Sequence, residues 1–552
     1  MRSSGVTTSP LAGDSAFYDS LLHRPVRSPT AAIRPSASII PWRISAEAGG
    51  IEVWWLRRAP TMRFLAGFWA FPGGGVSRRD AEIRIAGNPQ GTSEDTFTRA
   101  APELDRESMG SLGPDLAPGV LGGALRELFE ETGLLLTERP APASESREAR
   151  VHLLRKELSF AELTRRHGRA VASRLVFAGR WLTPPFAPMR FDNRFFLLEW
   201  PRDAPDPEPV DDSVEGLRSE HDLSEWVRPE DALRRWQQTG LLAAPPILHV
   251  MRVLADEGSP TEQALRRLRD TEEADLGPMR RIEFRPGVVL LPLRTPTLPP
   301  ATHTNAFLLG NPPGAAVLID PSTPWPDEQA KLLSMLDAAR EQGYRIRSIW
   351  LSHHHPDHVG AVEAVWKHLD EPLICAHGAD CAALERRGIL VDEELVDGQV
   401  VRFEGQPDLE VEVLHTPGHT RGHLSFHIPA ADTLLACDLT STLSTIVIDP
   451  PDGDMDHYIS SLGRLAAREA AILFPSHGPG HPNPRQHLEE LIEHRLQREE
   501  KIWKAYRDGL SSPSALVGRV YDDVPVTLHP VAERQIAAHL IRLRRLGRIP
   551  RY

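Results

Sequence analysis

Residues 351–360 read LSHHHPDHVG, which sets four histidines and an aspartate within six consecutive positions. The segment before them, RSIWLS, is apolar with β-branched Ile349, and reads as a buried strand that the chain leaves at Ser352. The histidines therefore fall on a loop at a strand end. A tight loop there can point His353 and His355 to one side and Asp357 and His358 to another, leaving His354 facing solvent. Imidazole suits zinc-like ions and a carboxylate beside it suits a harder one, so the loop offers two partial ligand sets. Neither is complete, and the fold must bring the rest from a distance.

Candidates stand at later strand ends. LHTPGHTRGH offers His419 on a Pro-Gly turn, LLACDLT offers Asp438 after an apolar strand, and LFPSHGPG offers His477. His353, His355 and His419 can hold one metal, and Asp357, His358 and His477 a second. Asp438 can bridge them at the spacing of about 3.5–4 Å found in two-metal hydrolases. Each half leaves a position for a shared water, whose pKa two cations lower toward neutrality. HxHxDH, then GHT, then Asp after a strand, then His resembles the metallo-β-lactamase superfamily over residues 281–495. THTNAFLLG and VLID belong to the likeness, and Asp320 matches a family aspartate that supports the metal loop. The chain is most similar to the lactamase-beta-2-like branch with a C-terminal winged-helix-like segment, on HLEELIEHRLQREEKI and AAHLIRLRRLGRI. The resemblance implies an αββα sandwich, two Zn²⁺ ions, a catalytic part for Asp357, and hydrolysis of an ester, thioester or phosphodiester. Some members of that branch are endoribonucleases, and others resemble the thioester hydrolase glyoxalase II. His415, His423, His427 and His481 are read as supporting residues, with His423 the best placed of them for a substrate contact, and Cys437 as a small buried residue.

A second signal lies far upstream, in RELFEETGL at residues 126–134. On a helix Glu127, Glu130 and Glu131 share one face, and the mutual repulsion of three carboxylates is relieved by divalent cations. Oxygen-only ligands favour Mg²⁺ or Mn²⁺ over zinc. FPGGGVSRRD supplies a glycine-rich turn and Asp80. FPGG, a following acid and REUxEExGU, with U aliphatic, resemble the Nudix box, and the likeness spans residues 37–256. It implies an α/β/α sandwich and a diphosphatase. Glu127, Glu130 and Glu131 would be metal ligands, with Glu130 and Glu131 catalytic. Arg126 would orient them through a salt bridge, and Gly73, Gly74 and Arg126 would stand on the substrate side. Glu225 is the candidate for a further acid from outside the box, with Glu220 as second choice. Two departures stand out: Asp80 where the family has Glu, and a spacer, residues 81–125, far longer than the usual one. Such an insertion is similar to the peroxisomal-type coenzyme A diphosphatases, which WLTPPFAPMRFDNRFFLLEW also resembles. Those enzymes split CoA or acyl-CoA to 3′,5′-ADP and a phosphopantetheine product.

A chain of 552 residues, at roughly 150 per domain, accommodates several folding units. The expectation is a multidomain α/β chain: a loosely ordered lead-in over 1–36, a Nudix domain over 37–256 with an insertion at about 81–118, a linker over 257–280, a metallo-β-lactamase domain over 281–490, and a small helical winged-helix-like domain over 491–552. A net charge of −13 argues against non-specific nucleic-acid binding as the chain's main business. Three cysteines cannot make a disulfide framework, and no run approaches the ~18 apolar residues of a membrane helix, so a cytoplasmic, reducing setting without membrane insertion is expected. Arg542, Arg544, Arg545 and Arg548 form a basic stripe on the last helix, either a wall attracting anionic substrates or a solvated or contact face. The leading reading is a bifunctional metallohydrolase acting on a nucleotide or CoA-type substrate. The alternatives are an endoribonuclease whose Nudix half is a nucleotide-binding regulatory module, and a ligand sensor with structural metals. The oligomeric state stays open.

Overall fold

A computed structural model describes residues 33–45, 49–62, 65–92, 117–184, 187–210, 217, 219–269, 275–276, 279–280 and 282–550. The chain divides into one compact unit from Pro29–Pro286 and a second holding Gly287–Tyr552. Most of the expected lead-in and the central part of the expected insertion, residues 93–116, lie outside the described residues.

The first unit is built on a mixed sheet in the order Leu242–Ala243, Phe68–Ala70, Ile51–Arg58, Ile33–Ile44, Arg190–Glu199 and Leu175–Leu182. Gly73–Gly75 pairs with Ile33–Ile44, and His221–Val227 pairs with Ile51–Arg58. Successive residues of a strand point to opposite faces. Ile39 accordingly joins a core with Val120, Ala124, Leu128 and Phe129 of the acidic helix Ala117–Thr132. Ile40 joins another, with Trp55 and the helices Pro229–Gln237 and Pro245–Glu257. Helices thus cover both faces. The acidic helix ends at Gly133, whose φ of 78° and N–H bond to the Phe129 carbonyl (3.0 Å) make a left-handed cap.

The expected linker is a correction. Residues 262–269 form the helix Glu262–Arg269, whose Ala264 and Leu268 are fully buried in the second of these cores, so the unit runs on to Pro286. The apolar spacing of this short, very charged helix is too brief to stand out in sequence.

The second unit carries two sheets. One runs Val288–Arg294, His303–Leu309, Gly314–Ile319, Tyr344–Trp350, Leu373–Ala376, Glu393–Glu394, and the other Val400–Phe403, Leu409–His415, Leu424–Ile428, Thr433–Ser441, Ile472–His477. They face each other through aromatic contacts: Phe307 on Phe474 (6.2 Å between centroids), and Trp350 on Phe426 (5.6 Å). The outer face of the second sheet is closed by Met455–Ala466 and the start of Pro484–Arg507, through Leu434, Leu439, Leu462 and Leu488. The latter half of Pro484–Arg507 enters a separate core, where Ile502 and Ala505 meet Leu516, Val520, Ile536 and Leu540 of the helices Pro513–Val520 and His529–Arg545. One 24-residue helix therefore spans the expected boundary at 490/491.

Candidate metal centres and comparison with known proteins

The strand Tyr344–Trp350 delivers the histidine loop to the edge of the two-sheet sandwich, and Pro356 at the first turn of Pro356–Val359 starts a short helix. His477 is the last residue of its strand. Asp438 differs from its expected place after a strand. It lies within Thr433–Ser441, where a register shift at Cys437 (φ 47°) turns the carboxylate to the centre. Gly418 sets the PGHT turn: its φ is 141°, and a Cβ there would sit 2.3 Å from the Tyr458 backbone.

Two groups of ligand atoms result. In one, those of His353, His355, His419 and Asp438 lie within 4.8 Å of one another; in the other, those of Asp357, His358 and His477 do. His355 Nδ1 is 3.0 Å from His353 Nε2 and 2.9 Å from His419 Nε2. Asp438 spans the groups, with Oδ2 3.3 Å from His419 Nε2 and 3.5 Å from His358 Nε2, and Oδ1 3.3 Å from His477 Nε2. Asp357 Oδ2 completes the second group, 3.6 Å from His477 Nε2.

The outer ring nitrogens are anchored, which fixes the inward ones. His358 Nδ1 lies 2.8 Å from Asp320, His419 Nδ1 2.8 Å from the Val447 carbonyl, and His477 Nδ1 3.0 Å from the His303 carbonyl. Each is thereby a donor, so Nε2 turns its lone pair inward. Asp320 is fully buried and also accepts from Ser352 N (2.7 Å) and Ser352 Oγ (2.6 Å), tying the loop to the neighbouring strand. Burial, reinforced by the neighbouring imidazoles, pushes His353 and His355 well below the ordinary histidine range, so they are neutral. Burial opposes charge on His358 too, yet Asp438, Asp357 and Asp320 hold it well above that range. That half of the centre calls for positive charge. His358 Nε2 and Asp438 Oδ1 are buried without a hydrogen-bond partner, and lone pairs converge where no proton can satisfy them all. This donor set, imidazole with carboxylate, fits divalent cations such as zinc.

The expectations for three neighbours change. His354 is not solvent-facing: its Nδ1 is 3.0 Å from buried Asp380 and its Nε2 3.6 Å from Asp452. Asp380, on the helix Gly378–Glu385, carries no local sequence signal. His423 is fully buried, with Nδ1 2.9 Å from Thr416 Oγ1, so it packs beneath His353 rather than reaching a substrate. Burial first, then His419, lowers its pKa to about 3. The C-terminal arginines form no free wall: Arg542 pairs with Glu499 and Asp456, Arg545 with Asp454, and Arg548 with Glu500. His415 and His481 stack on His377 and His487, and His427 lies 3.2 Å from Glu412. The cleft over the centre has a volume of about 70 Å³ and is walled by Pro296, Leu298, Ala301, Pro356, Ile446 and Val447, and among the described residues no lysine or arginine lines it.

In the first unit, Arg126 is clamped among carboxylates: Asp80 at 2.8 Å, Glu127 at 2.9 Å and Glu130 at 2.8 Å. It serves the acidic cluster rather than standing on the substrate side. Asp80, nearly buried, also accepts from Ser77 N (2.7 Å) and so pins the glycine loop. Gly73 N donates to Glu131 (3.0 Å), and a Cβ on Gly74 would lie 2.3 Å from Glu127 Oε1, so both glycines bring the loop against the acidic helix. Burial raises Glu127 to about 7, against the pull of Arg126, and holds Glu131 well above the ordinary carboxylate range, with Glu127 adding to it. Burial likewise raises Glu130. Such a cluster needs protons or cations. Between the two outside acids the order reverses. Glu220 acts electrostatically on all three glutamates, whereas Glu225 is engaged by Arg235 and lies 3.4 Å from Trp55 Nε1. His221, 3.6 Å from Glu131, stands in no motif that marks it in the sequence; burial first, then Arg58, lowers its pKa to about 3.

The comparisons agree with this geometry in the second unit. Residues 299–477 match the family profile described as metallo-beta-lactamase superfamily, and residues 512–551 that of the beta-lactamase associated winged helix domain. The C-terminal half is a metallo-beta-lactamase-fold hydrolase domain followed by a winged helix domain. Among the described residues of 512–550, helices form and no strand does. Beta-lactamase-like protein 2 homolog of Drosophila melanogaster is 27% identical over 264 residues, covering 45% of this chain and 84% of that protein. Atrochrysone carboxyl ACP thioesterase of Aspergillus fumigatus is 25% identical over 249 residues, covering 43% and 73%. A solved structure of a NUDIX hydrolase from Alicyclobacillus acidocaldarius aligns at 30% identity over 43% of this chain and 96% of its own, with a TM-score of 0.33. Among the described residues no helix is long and apolar enough to cross a membrane.

Proposed function

We propose that this chain is a two-centre hydrolase: a dinuclear metallo-β-lactamase-type centre that cleaves a thioester or ester, and a Nudix-type centre that cleaves a nucleoside diphosphate linkage in a CoA-like substrate. The observation that carries the first is the convergence of seven side chains on two adjoining donor groups, with Asp438 shared. His353, His355 and His419 would hold one ion, Asp357, His358 and His477 the other. When bound, the two cations supply Lewis acidity and lower the pKa of water toward neutrality. The chain's own contribution is to keep His358, His419 and His477 in ligand tautomers through Asp320 and the Val447 and His303 carbonyls. Asp357 lines the cleft and is its more exposed carboxylate, at 16% against 8% for Asp438, so it is placed to take up the proton released by the attacking water. The acyl C–S or C–O bond breaks, the water's hydroxyl stays on the acyl carbon as the carboxylic acid, and the proton held by Asp357 passes to the departing thiolate or alkoxide, which leaves as a thiol or alcohol. The apolar walls exclude bulk water and accept an acyl group.

An acyl substrate is favoured over RNA on two grounds. RNA would lay an extended polyanion across the cleft and needs cations along its path, whereas a thioester need place only its acyl end there; among the described residues the cleft lining holds no lysine or arginine, and Arg542, Arg545 and Arg548 are neutralised in pairs. One relative is named a thioesterase.

For the first unit, Glu127, Glu130 and Glu131, with Glu220 beside them, would hold Mg²⁺ or Mn²⁺. When bound, such an ion neutralises pyrophosphate charge and activates water. Arg126 keeps the carboxylates in register, and the Gly73 and Gly74 loop packs close against Glu127 and Glu131. The test is product analysis by mass spectrometry with acyl-CoA. Glu130→Gln is expected to abolish release of 3′,5′-ADP and spare the free thiol product, and Asp357→Ala the reverse. Unchanged products from either variant contradict the role given to that centre, and cleavage of short RNA in preference to acyl-CoA overturns the substrate class.

A further inference from the structure

Three backbone groups separate the C-terminal helix from the metal centre. Residues 444–447 wall the cleft, and at their end the Val447 carbonyl takes the His419 Nδ1 hydrogen bond at 2.8 Å. The residues on either side of Val447 are held from the winged helix domain. Gln535, in the helix His529–Arg545 and only 4% exposed, donates from Nε2 to the Ile446 carbonyl (2.7 Å) and accepts at Oε1 from Ile448 N (3.3 Å). Arg495, also buried, donates to the same Ile446 carbonyl at 2.6 Å.

A second route leads to the same histidine. Arg545 pairs with Asp454, whose N–H donates to the Gly418 carbonyl (2.8 Å), one residue before His419. Arg534 pairs with Asp449 between the two routes. His353 and His355 belong to a loop tied into the sandwich by Asp320 and Asp380. His419 alone of its group is oriented by a segment that the C-terminal domain clamps.

We propose that Gln535 is a positioning residue of the hydrolase centre: by bracketing Val447 it fixes the carbonyl that orients His419, so that the winged helix domain completes one of the two cation sites. This rests on the metal reading proposed above. A residue behind a metal ligand changes metal affinity by about 10- to 100-fold when removed, and Gln535, one carbonyl further back, belongs near the lower bound. Gln535→Leu keeps approximate volume and deletes both hydrogen bonds, and Gln535→Glu keeps the acceptor to Ile448 N while setting a carboxylate oxygen against the Ile446 carbonyl.

The experiment is Co²⁺ titration of the full-length protein against a competing chelator, read by the visible absorption of each bound ion, without substrate. Wild type is expected to show two affinities. In both Gln535 variants one should weaken about tenfold with an altered spectrum while the other stays put. Arg548→Ala breaks the Arg548–Glu500 pair (2.9 Å) on the same domain, away from the 444–454 segment, and serves as the control for general destabilisation. It should bind both ions as wild type does. Wild-type affinity for both ions in Gln535→Leu overturns the inference, as does equal weakening by Gln535→Leu and Arg548→Ala. A wild-type protein that takes up no ion overturns the metal reading, and this inference with it, and is told apart from the first two outcomes by the wild-type titration.

Discussion

Replacing Asp320 by asparagine exchanges one carboxylate oxygen for an NH₂ group and should weaken the hold on one ion of the centre. Asp320 is fully buried and accepts three hydrogen bonds, from Ser352 N (2.7 Å), Ser352 Oγ (2.6 Å) and His358 Nδ1 (2.8 Å). Asparagine keeps one acceptor, enough for Ser352 N, and the Ser352 hydroxyl can rotate to accept from the new NH₂. His358 has no such freedom. Its Nδ1–H would face a donor, so the ring must shift its proton to Nε2, the atom that faces Asp438 and carries the ligand lone pair. Regaining that lone pair leaves Nδ1–H without an acceptor, at about 1–3 kcal/mol for a buried group. At about 1.4 kcal/mol per tenfold in affinity, the expected loss is roughly 10- to 100-fold for the ion shared by Asp357, His358 and His477. Chelator competition on purified protein measures it, and the ion held by His353, His355 and His419 should be affected less. Equal affinity for both ions in Asp320→Asn and wild type would refute the tautomer argument.

Gly74→Ala sets a Cβ 2.3 Å from Glu127 Oε1, so release of 3′,5′-ADP from acyl-CoA should fall at least tenfold while thioester cleavage stays unchanged in the same assay. Gly418→Ala combines a φ of 141° with a 2.3 Å approach to the Tyr458 backbone, and should lower unfolding stability by about 2 kcal/mol or more in urea titration. Glu499 carries a pH prediction. Burial would raise its pKa, but hydrogen bonds from His539 and Arg542 hold it below the ordinary carboxylate value. A depressed carboxylate contributes stability above its unfolded pKa of about 4.3, which is lost as the pH falls through the folded value. Glu499→Gln should therefore destabilise at pH 7 by about 1–3 kcal/mol and by less in acid, checked by urea denaturation at both pH values.

The two-sheet architecture and the ligand loop were legible in sequence because strand ends concentrate chemistry, and His353, His355, His419 and His477 each follow or finish an apolar run. The limits have physical reasons. Val447 orients His419 through a carbonyl, and backbone groups have no signature in residue type. His354 turns inward because Asp380 comes from a helix more than twenty residues on, which loop spacing cannot reveal. Glu225 and Glu220 are near neighbours in sequence, and the choice between them rests on strand register. Glu225 stands opposite Trp55 and beside Arg235, while Glu220 precedes the strand and acts electrostatically on the glutamates of the acidic helix. Gly73 and Gly74 read as a substrate loop, whereas the structure uses them for close approach to Glu127 and Glu131. The segment 262–269 reads as linker because its two buried residues are outnumbered by charges.

The hydrolytic function proposed for the C-terminal centre requires that it hold two cations. Anomalous diffraction from crystals of the metal-loaded protein, collected at the metal edge, measures this directly. Two peaks about 3.5–4 Å apart are expected, one within reach of His353, His355 and His419, the other of Asp357, His358 and His477, with Asp438 between them. A single peak, or a second ion bound without Asp438, would contradict it.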